Sequence, residues 1–233
     1  MNDECDESEP LMPLAAPDVA RLFTPGSQYD CGHDRTATVV ALPEAVLALP
    51  TGRLVACDPV IGLVDENEPF LAVAPPGSYP VALAVVEVRN AYGPGSSDTR
   101  IAAALLRVGD RPAVRWELAL SEGQDEKRLG RGDFFGYGVD AGTGCFLDAS
   151  AVGPIGELVE QDADPVIDAI HDAHLRPATV TDPASGHSMV AFTTGWGDGH
   201  YPTWVGRDAA GQVTGFVSEF FVVPQPGRGP VEG

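Results

Sequence analysis

Lysine is almost missing from this chain. It occurs once, at Lys127, among 14 basic residues set against 34 acids in 233 residues, and the formal net charge is −20. A surface so acidic repels phosphate backbones and anionic headgroups, so neither nucleic acid nor a membrane is an expected partner. A basic protein or a small molecule is. Cysteine is scarce as well. Cys5, Cys31, Cys57 and Cys145 lack both the C-x-x-C pairing of a zinc site and the density of a disulfide scaffold, so they are expected to be reduced thiols. Cys31-Gly32-His33 offers two metal ligands, but no second pair follows nearby. No apolar run approaches the ~18 residues that span a bilayer. Met1-Asn2-Asp3-Glu4 is acidic where a secretory signal is basic and then apolar, and the expected location is the cytoplasm. A G-x-S-x-G nucleophile elbow does not occur, the Lys-Ser/Thr of a phosphate loop is missing, and Gly142-x-Gly144 has no third glycine and no helix after it.

What is present reads as one globular domain. A hydrophobic share of 44% with 21% charged residues suits a single packed core rather than a disordered chain. Residues 1–35 read as an acidic, largely disordered extension: five acids crowd the first twelve positions, a short helix starts at Pro17 and Asp18, and Pro25-Gly26 stops it. Residues 36–223 form the β-rich domain and residues 224–233 a Pro/Gly tail. Within the domain, β-branched and aromatic runs at 36–42, 45–49, 53–57, 71–74, 79–88, 101–108 and 114–120 predict strands. Between them, Pro50-Thr51-Gly52, Pro75-Pro76-Gly77-Ser78, Gly93-Pro94-Gly95 and Gly109-Asp110-Arg111-Pro112 read as hairpin connections. Apolar residues at helical spacing predict helices over 149–161 and 165–175, the second with Asp164 as its cap. Strands return at 189–194, 201–207 and 212–223 as a meander. The last is apolar on both parities, which places the helical pair over that sheet. The expected fold is α+β, mainly antiparallel, with two short helices packed on one face.

The chemistry-bearing residues gather in two glycine-rich stretches, 134–148 and 195–202. If Ala141-Gly142-Thr143-Gly144 is a hairpin turn, Asp140 and Cys145 stand opposite each other across it. Cys145 is then a candidate nucleophile, although the carboxylate disfavours its thiolate; a small buried cysteine beside a turn-capping aspartate is the alternative. Asp140, Asp148, Asp198 and His200 supply oxygen and imidazole ligands for a divalent metal if they converge, whereas Asp198-Gly199 also suits an ordinary turn. Tyr137, Asp140, Trp196 and Tyr201 form the candidate ligand-binding set, with Trp196 in its turn as a stacking surface. His171 and His174 share a helix face.

The strings Pro50-Thr51-Gly52-Arg53-Leu54-Val55-Ala56-Cys57-Asp58-Pro59, Pro76-Gly77-Ser78-Tyr79-Pro80-Val81, Tyr137-Gly138-Val139-Asp140-Ala141-Gly142-Thr143-Gly144-Cys145 and Gly195-Trp196-Gly197-Asp198-Gly199 with Tyr201-Pro202 resemble the bacterial domain-of-unknown-function family 4241. The resemblance covers roughly residues 42–223 and implies a single domain behind an N-terminal extension; it assigns no activity and no role to any residue. Two readings of function stand side by side. One is a cytoplasmic binding or interaction protein, supported by the charge and by the lack of a complete catalytic constellation. The other is a metal-assisted hydrolase or related enzyme with its site between the 137–148 and 195–202 turns.

Overall fold

Runs of valine, alanine and leucine make long strands here because alternate residues can be buried on both faces of a sheet. A computed structural model describes residues 13–63, 68–90 and 97–228. In chain order its elements are α1 (Val19–Leu22), β1 (Gln28–Asp30), β2 (Arg35–Ala41), β3 (Glu44–Leu49), β4 (Leu54–Cys57), β5 (Gly77–Asn90), β6 (Ser97–Arg107), β7 (Arg115–Leu118), β8 (Gly136–Val139), β9 (Thr143–Asp148), α2 (Val152–Gln161), α3 (Asp164–Ala173), β10 (Ala178–Thr181), β11 (Ser188–Thr193), β12 (Gly199–Arg207) and β13 (Val213–Glu219). The fold is α+β and β-rich, its described strands pairing antiparallel, as the alternating runs imply.

The larger sheet runs β1-β2-β5-β6-β13-β12-β7. The fourteen residues of β5 are long enough to pair β6 along one edge and, on the other, β3 through Gly77–Ala82 and β2 through Val85–Asn90. Strand β12 repeats the arrangement: β13 takes one edge, and β8 and then β7 follow each other along the opposite one. The smaller sheet, β10-β11-β9-β4, packs on this surface. Side chains alternate along it. Phe146, Val190 and Phe192 face the large sheet, where Phe146 and Phe192 meet edge to face at 5.2 Å and Phe192 reaches Phe220 at 5.7 Å. Cys145, Leu147, Met189 and Ala191 face the other way and cover Ile155, Val159, Val166 and Ile170 of the two helices. The result is three layers: large sheet, small sheet, helices.

Several expectations need correction. The helical pair covers β9 and β11, not β13. Both faces of β13 are buried, in one apolar cluster with Val19, Leu22 and Tyr29 from the N-terminal segment. The boundary at residue 35 therefore moves: from Leu14 onward the chain belongs to the domain, and Asp18 donates its N–H to Gln225 at 2.9 Å. Residues 224–228 are likewise folded, because the Arg228 guanidinium binds Glu219 at 2.7 Å and reaches the Ala15 carbonyl. The acidic segment 1–12, the end of the tail at 229–233 and the Gly93-Pro94-Gly95 turn lie outside the described residues. The antiparallel pairing of β5 with β6 and of β12 with β13 is as expected.

Pro50-Thr51-Gly52 is not a hairpin. It carries the chain from the large sheet (β3) to the small one (β4), and Gly109-Asp110-Arg111-Pro112 joins β6 to β7, which pair with different strands. Turn residues set local φ and ψ, and the same values serve a crossover. Residues 71–74 are not a strand but meet the start of β4 through the isolated Arg53–Val73 bridge, and β10 is a short edge strand that the pattern did not reveal. Asp164 is the first helical residue of α3, with Ala163 in the cap position. No helix among the described residues is long and apolar enough to cross a membrane.

Candidate functional site

The glycines of the 134–148 stretch serve a change of sheet. β8 belongs with β12 in the large sheet, whereas β9 lies between β11 and β4 in the small one, so residues 140–142 are a crossover, Thr143 and Gly144 already belong to β9, and Asp140 does not face Cys145. The register partners of Cys145 are Ala191 and Cys57, and its thiol lies 3.6 Å from that of Cys57. Burial, and then the neighbouring Cys57, push the Cys145 thiol well above its ordinary pKa. Fully buried and held neutral, it is not an activated nucleophile.

The two glycine-rich stretches do meet. Residues 136–139 pair with residues 199–202, Gly142 donates its N–H to the Asp198 carboxylate at 2.9 Å, and Thr194 donates to the Gly142 carbonyl at 3.0 Å. Asp148 and Asp198 are occupied as acceptors of backbone N–H groups, whereas Asp140 is exposed and engages through its own N–H, which it donates to Asp58. Asp58, missed as a site residue although it lay in a quoted string, is buried and receives four N–H groups: Asp140 and Ala141 at 3.1 Å on one oxygen, Val60 at 2.8 Å and Ile61 at 3.2 Å on the other. Asp148 accepts from both the N–H and the hydroxyl of Thr51 and of Ser150. It stands at the far end of β9, five residues from Thr143 and so about 16 Å from the crossover. Among the described residues no three His, Cys, Asp or Glu side chains are grouped to hold a metal ion. Asp140, Asp148, Asp198 and His200 therefore do not converge as one ligand set. His200 is exposed and tilts against Phe134 at 5.8 Å, with partial desolvation lowering its pKa, so its neutral form is favoured.

The aromatic candidates separate in the same way. Trp196 is about half exposed, but Arg100 already lies over its ring at 5.1 Å. Tyr201 is buried, its hydroxyl donating to the Gly197 carbonyl at 2.8 Å and its ring set edge-on to Phe220 at 5.3 Å. Tyr137 alone lines a cavity. That cavity, of about 350 Å³, opens where the partner of β12 changes from β8 to β7. Its walls are Ala56, Phe70, Ala119, Tyr137 and Thr203, together with the backbone of Gly136 and Gly138; Glu68, Ser121, Glu122 and Gln124 complete the lining. The lining contains two carboxylates and no basic side chain. Burial raises the pKa of the Tyr137 hydroxyl, which closes no hydrogen bond of its own beside the Thr203–Ser218 hydroxyl pair.

The family model described as a protein of unknown function (DUF4241) matches residues 47–218. The chain belongs to the DUF4241 family. The match begins within β3 and ends within β13, so every residue lining the cavity lies inside the DUF4241 region. No curated protein and no solved structure matches the chain.

In this DUF4241 domain Gly136 is required by close approach: a Cβ there would lie 2.3 Å from the Tyr201 carbonyl oxygen, a backbone atom that cannot turn aside. Gly136→Ala should therefore part β8 from β12 and lower the stability measured by urea denaturation by roughly 1–3 kcal/mol, the range for overpacking. An unchanged midpoint would show that the strands separate at no cost.

Proposed function

We propose that this DUF4241 protein is a non-enzymatic, cytoplasmic binding protein that holds a small, polar, positively charged molecule in the cavity beside Tyr137. The observation that carries the reading is the lining: a concavity of about 350 Å³ with Glu68 and Glu122, hydroxyls, exposed strand backbone and two aromatic rings, and no cation of its own. A volume of this size suits a small ligand. An ammonium or guanidinium group entering it gains charge-assisted hydrogen bonds from the carboxylates and contact with the faces of Phe70 and Tyr137. The net charge of −20 adds a long-range field that draws cations in and turns anions away. The same field would attract a basic protein, but a recessed site favours the small molecule. The metal-dependent alternative loses its support once Asp148 and Asp198 are engaged as acceptors of backbone N–H groups.

Calorimetric titration with agmatine, spermidine and arginine, against citrate and glutamate as anionic controls, tests the proposal. One or more of the cations should bind, with affinity falling about tenfold in Glu68→Gln and in Glu122→Gln, since each removes one charged contact worth about 1.4 kcal/mol. Equal binding of the anions, or cation binding that both variants leave intact, would remove the cavity as the site.

A further inference from the structure

The two cysteines that face the helices form a pair of their own. Cys57 ends β4 and Cys145 lies in β9, and the register makes them direct cross-strand partners although 88 residues separate them in sequence. Antiparallel partners have Cα atoms about 4.5–5.5 Å apart, inside the roughly 4.4–6.8 Å that a disulfide spans. Their sulfurs are 3.6 Å apart, both side chains are buried, and the third described cysteine, Cys31, packs against the other hydrophobic cluster.

We propose that Cys57 and Cys145 are an oxidisable dithiol that closes to an intramolecular disulfide joining β4 to β9. With hydrogen peroxide as oxidant, one thiolate attacks the peroxide, its O–O bond breaks, and the products are a sulfenic acid and hydroxide, which leaves as water once protonated. The second thiol then attacks the sulfenic sulfur, the S–S bond forms, and a second water departs. Two S–H bonds are lost, and the two electrons they release reduce peroxide to two waters. No backbone rearrangement is needed, because the partners are already in register and the sulfurs close only from 3.6 Å to about 2 Å. Burial slows the first step relative to a more exposed thiol such as Cys31, so the register dictates the product and not the rate. The bridge would also bear on the cavity, since Ala56 beside Cys57 lines it and Asp58 on the other side holds the 140–142 crossover.

The test uses the full chain, reduced, desalted and exposed to hydrogen peroxide until the products stop changing, followed by alkylation in denaturant and non-reducing peptide mapping. The expected result is a linked peptide pair containing Cys57 and Cys145, two hydrogen atoms lighter than its two reduced peptides together, and a raised unfolding temperature that dithiothreitol reverses. Cys31→Ser should leave the link intact, and Cys57→Ala should abolish it. Sulfinic or sulfonic acid on Cys57 or Cys145 without the link overturns the proposal, as do bridges through Cys31 or Cys5. Recovery of both thiols unmodified where Cys31 has been oxidised does the same. The wild-type map decides even if Cys57→Ala fails to fold.

Discussion

Asp148→Ala is expected to cost the fold on the order of 3–5 kcal/mol. Asp148 is fully buried, and its carboxylate receives the N–H of Thr51 at 3.0 Å, the N–H of Ser150 at 2.9 Å and both hydroxyls. Alanine leaves those N–H groups without their acceptor, and each orphaned buried donor costs about 1–3 kcal/mol. The carboxylate also ties the crossover from β3 to β4 to the end of β9, where the helical layer starts, so the loss is mechanical as well as local. Against a typical total of about 5–15 kcal/mol, the variant should be partly unfolded at ambient temperature. Asp148→Asn should fall between, because its amide keeps one acceptor but turns an NH₂ toward donors. Urea midpoints of wild type and both variants, with and without a chelator, measure this. A loss below about 1 kcal/mol would refute the structural role, and a chelator effect on the wild type alone would revive metal ligation.

The second large effect is expected at Arg228, in a segment that reads as tail. Its guanidinium binds both oxygens of Glu219 at 2.7 and 2.9 Å, and both side chains are buried. Burial raises the Glu219 pKa, and the charge and hydrogen bonds of Arg228 oppose that rise. A carboxyl whose folded pKa lies above its unfolded value favours the folded state below the unfolded pKa, and that contribution is lost as pH rises through the folded pKa. Ionised Glu219 is thus a burden at neutral pH, and Arg228 is what offsets it. Arg228→Ala should destabilise by roughly 3–5 kcal/mol at neutral pH, the cost of stranding a buried charge. Part of that loss should return as pH falls, because the stranded carboxyl then takes up a proton. Arg228→Ala combined with Glu219→Gln should show no such recovery. Denaturation curves at several pH values decide; a loss in Arg228→Ala that does not vary with pH would mean the guanidinium acts by packing alone. Ending the chain after Val223 should cost at least as much, since it removes Gln225 and its contact with Asp18 too.

The strands at 79–88 and 101–108 were legible because apolarity at successive positions is a local property, and so were the two helices, whose buried residues recur at helical spacing. Whether the 134–148 and 195–202 stretches meet was left open by their spacing, and so was the purpose of the contact. Asp198 and Asp58 hold the crossover by accepting N–H groups, a role that an aspartate in sequence does not announce. Asp58 stood before a proline at the end of a strand, a turn signal available to the reading and not used.

Tyr137 and Tyr201 are register partners across β8 and β12, yet one lines a cavity and the other is locked onto Gly197. Composition, alternation and turn residues determined that this chain is acidic, β-rich and mainly antiparallel, because each depends on the dihedral preferences and polarity of neighbouring residues. Which strands pair was decided only in the tertiary structure. β3 and β4, separated by a short turn, go to different sheets, and Cys57 meets Cys145 across 88 residues. Pairing at such distances is chosen by the joint burial of three layers, and that cooperative term is written in no single stretch of the chain.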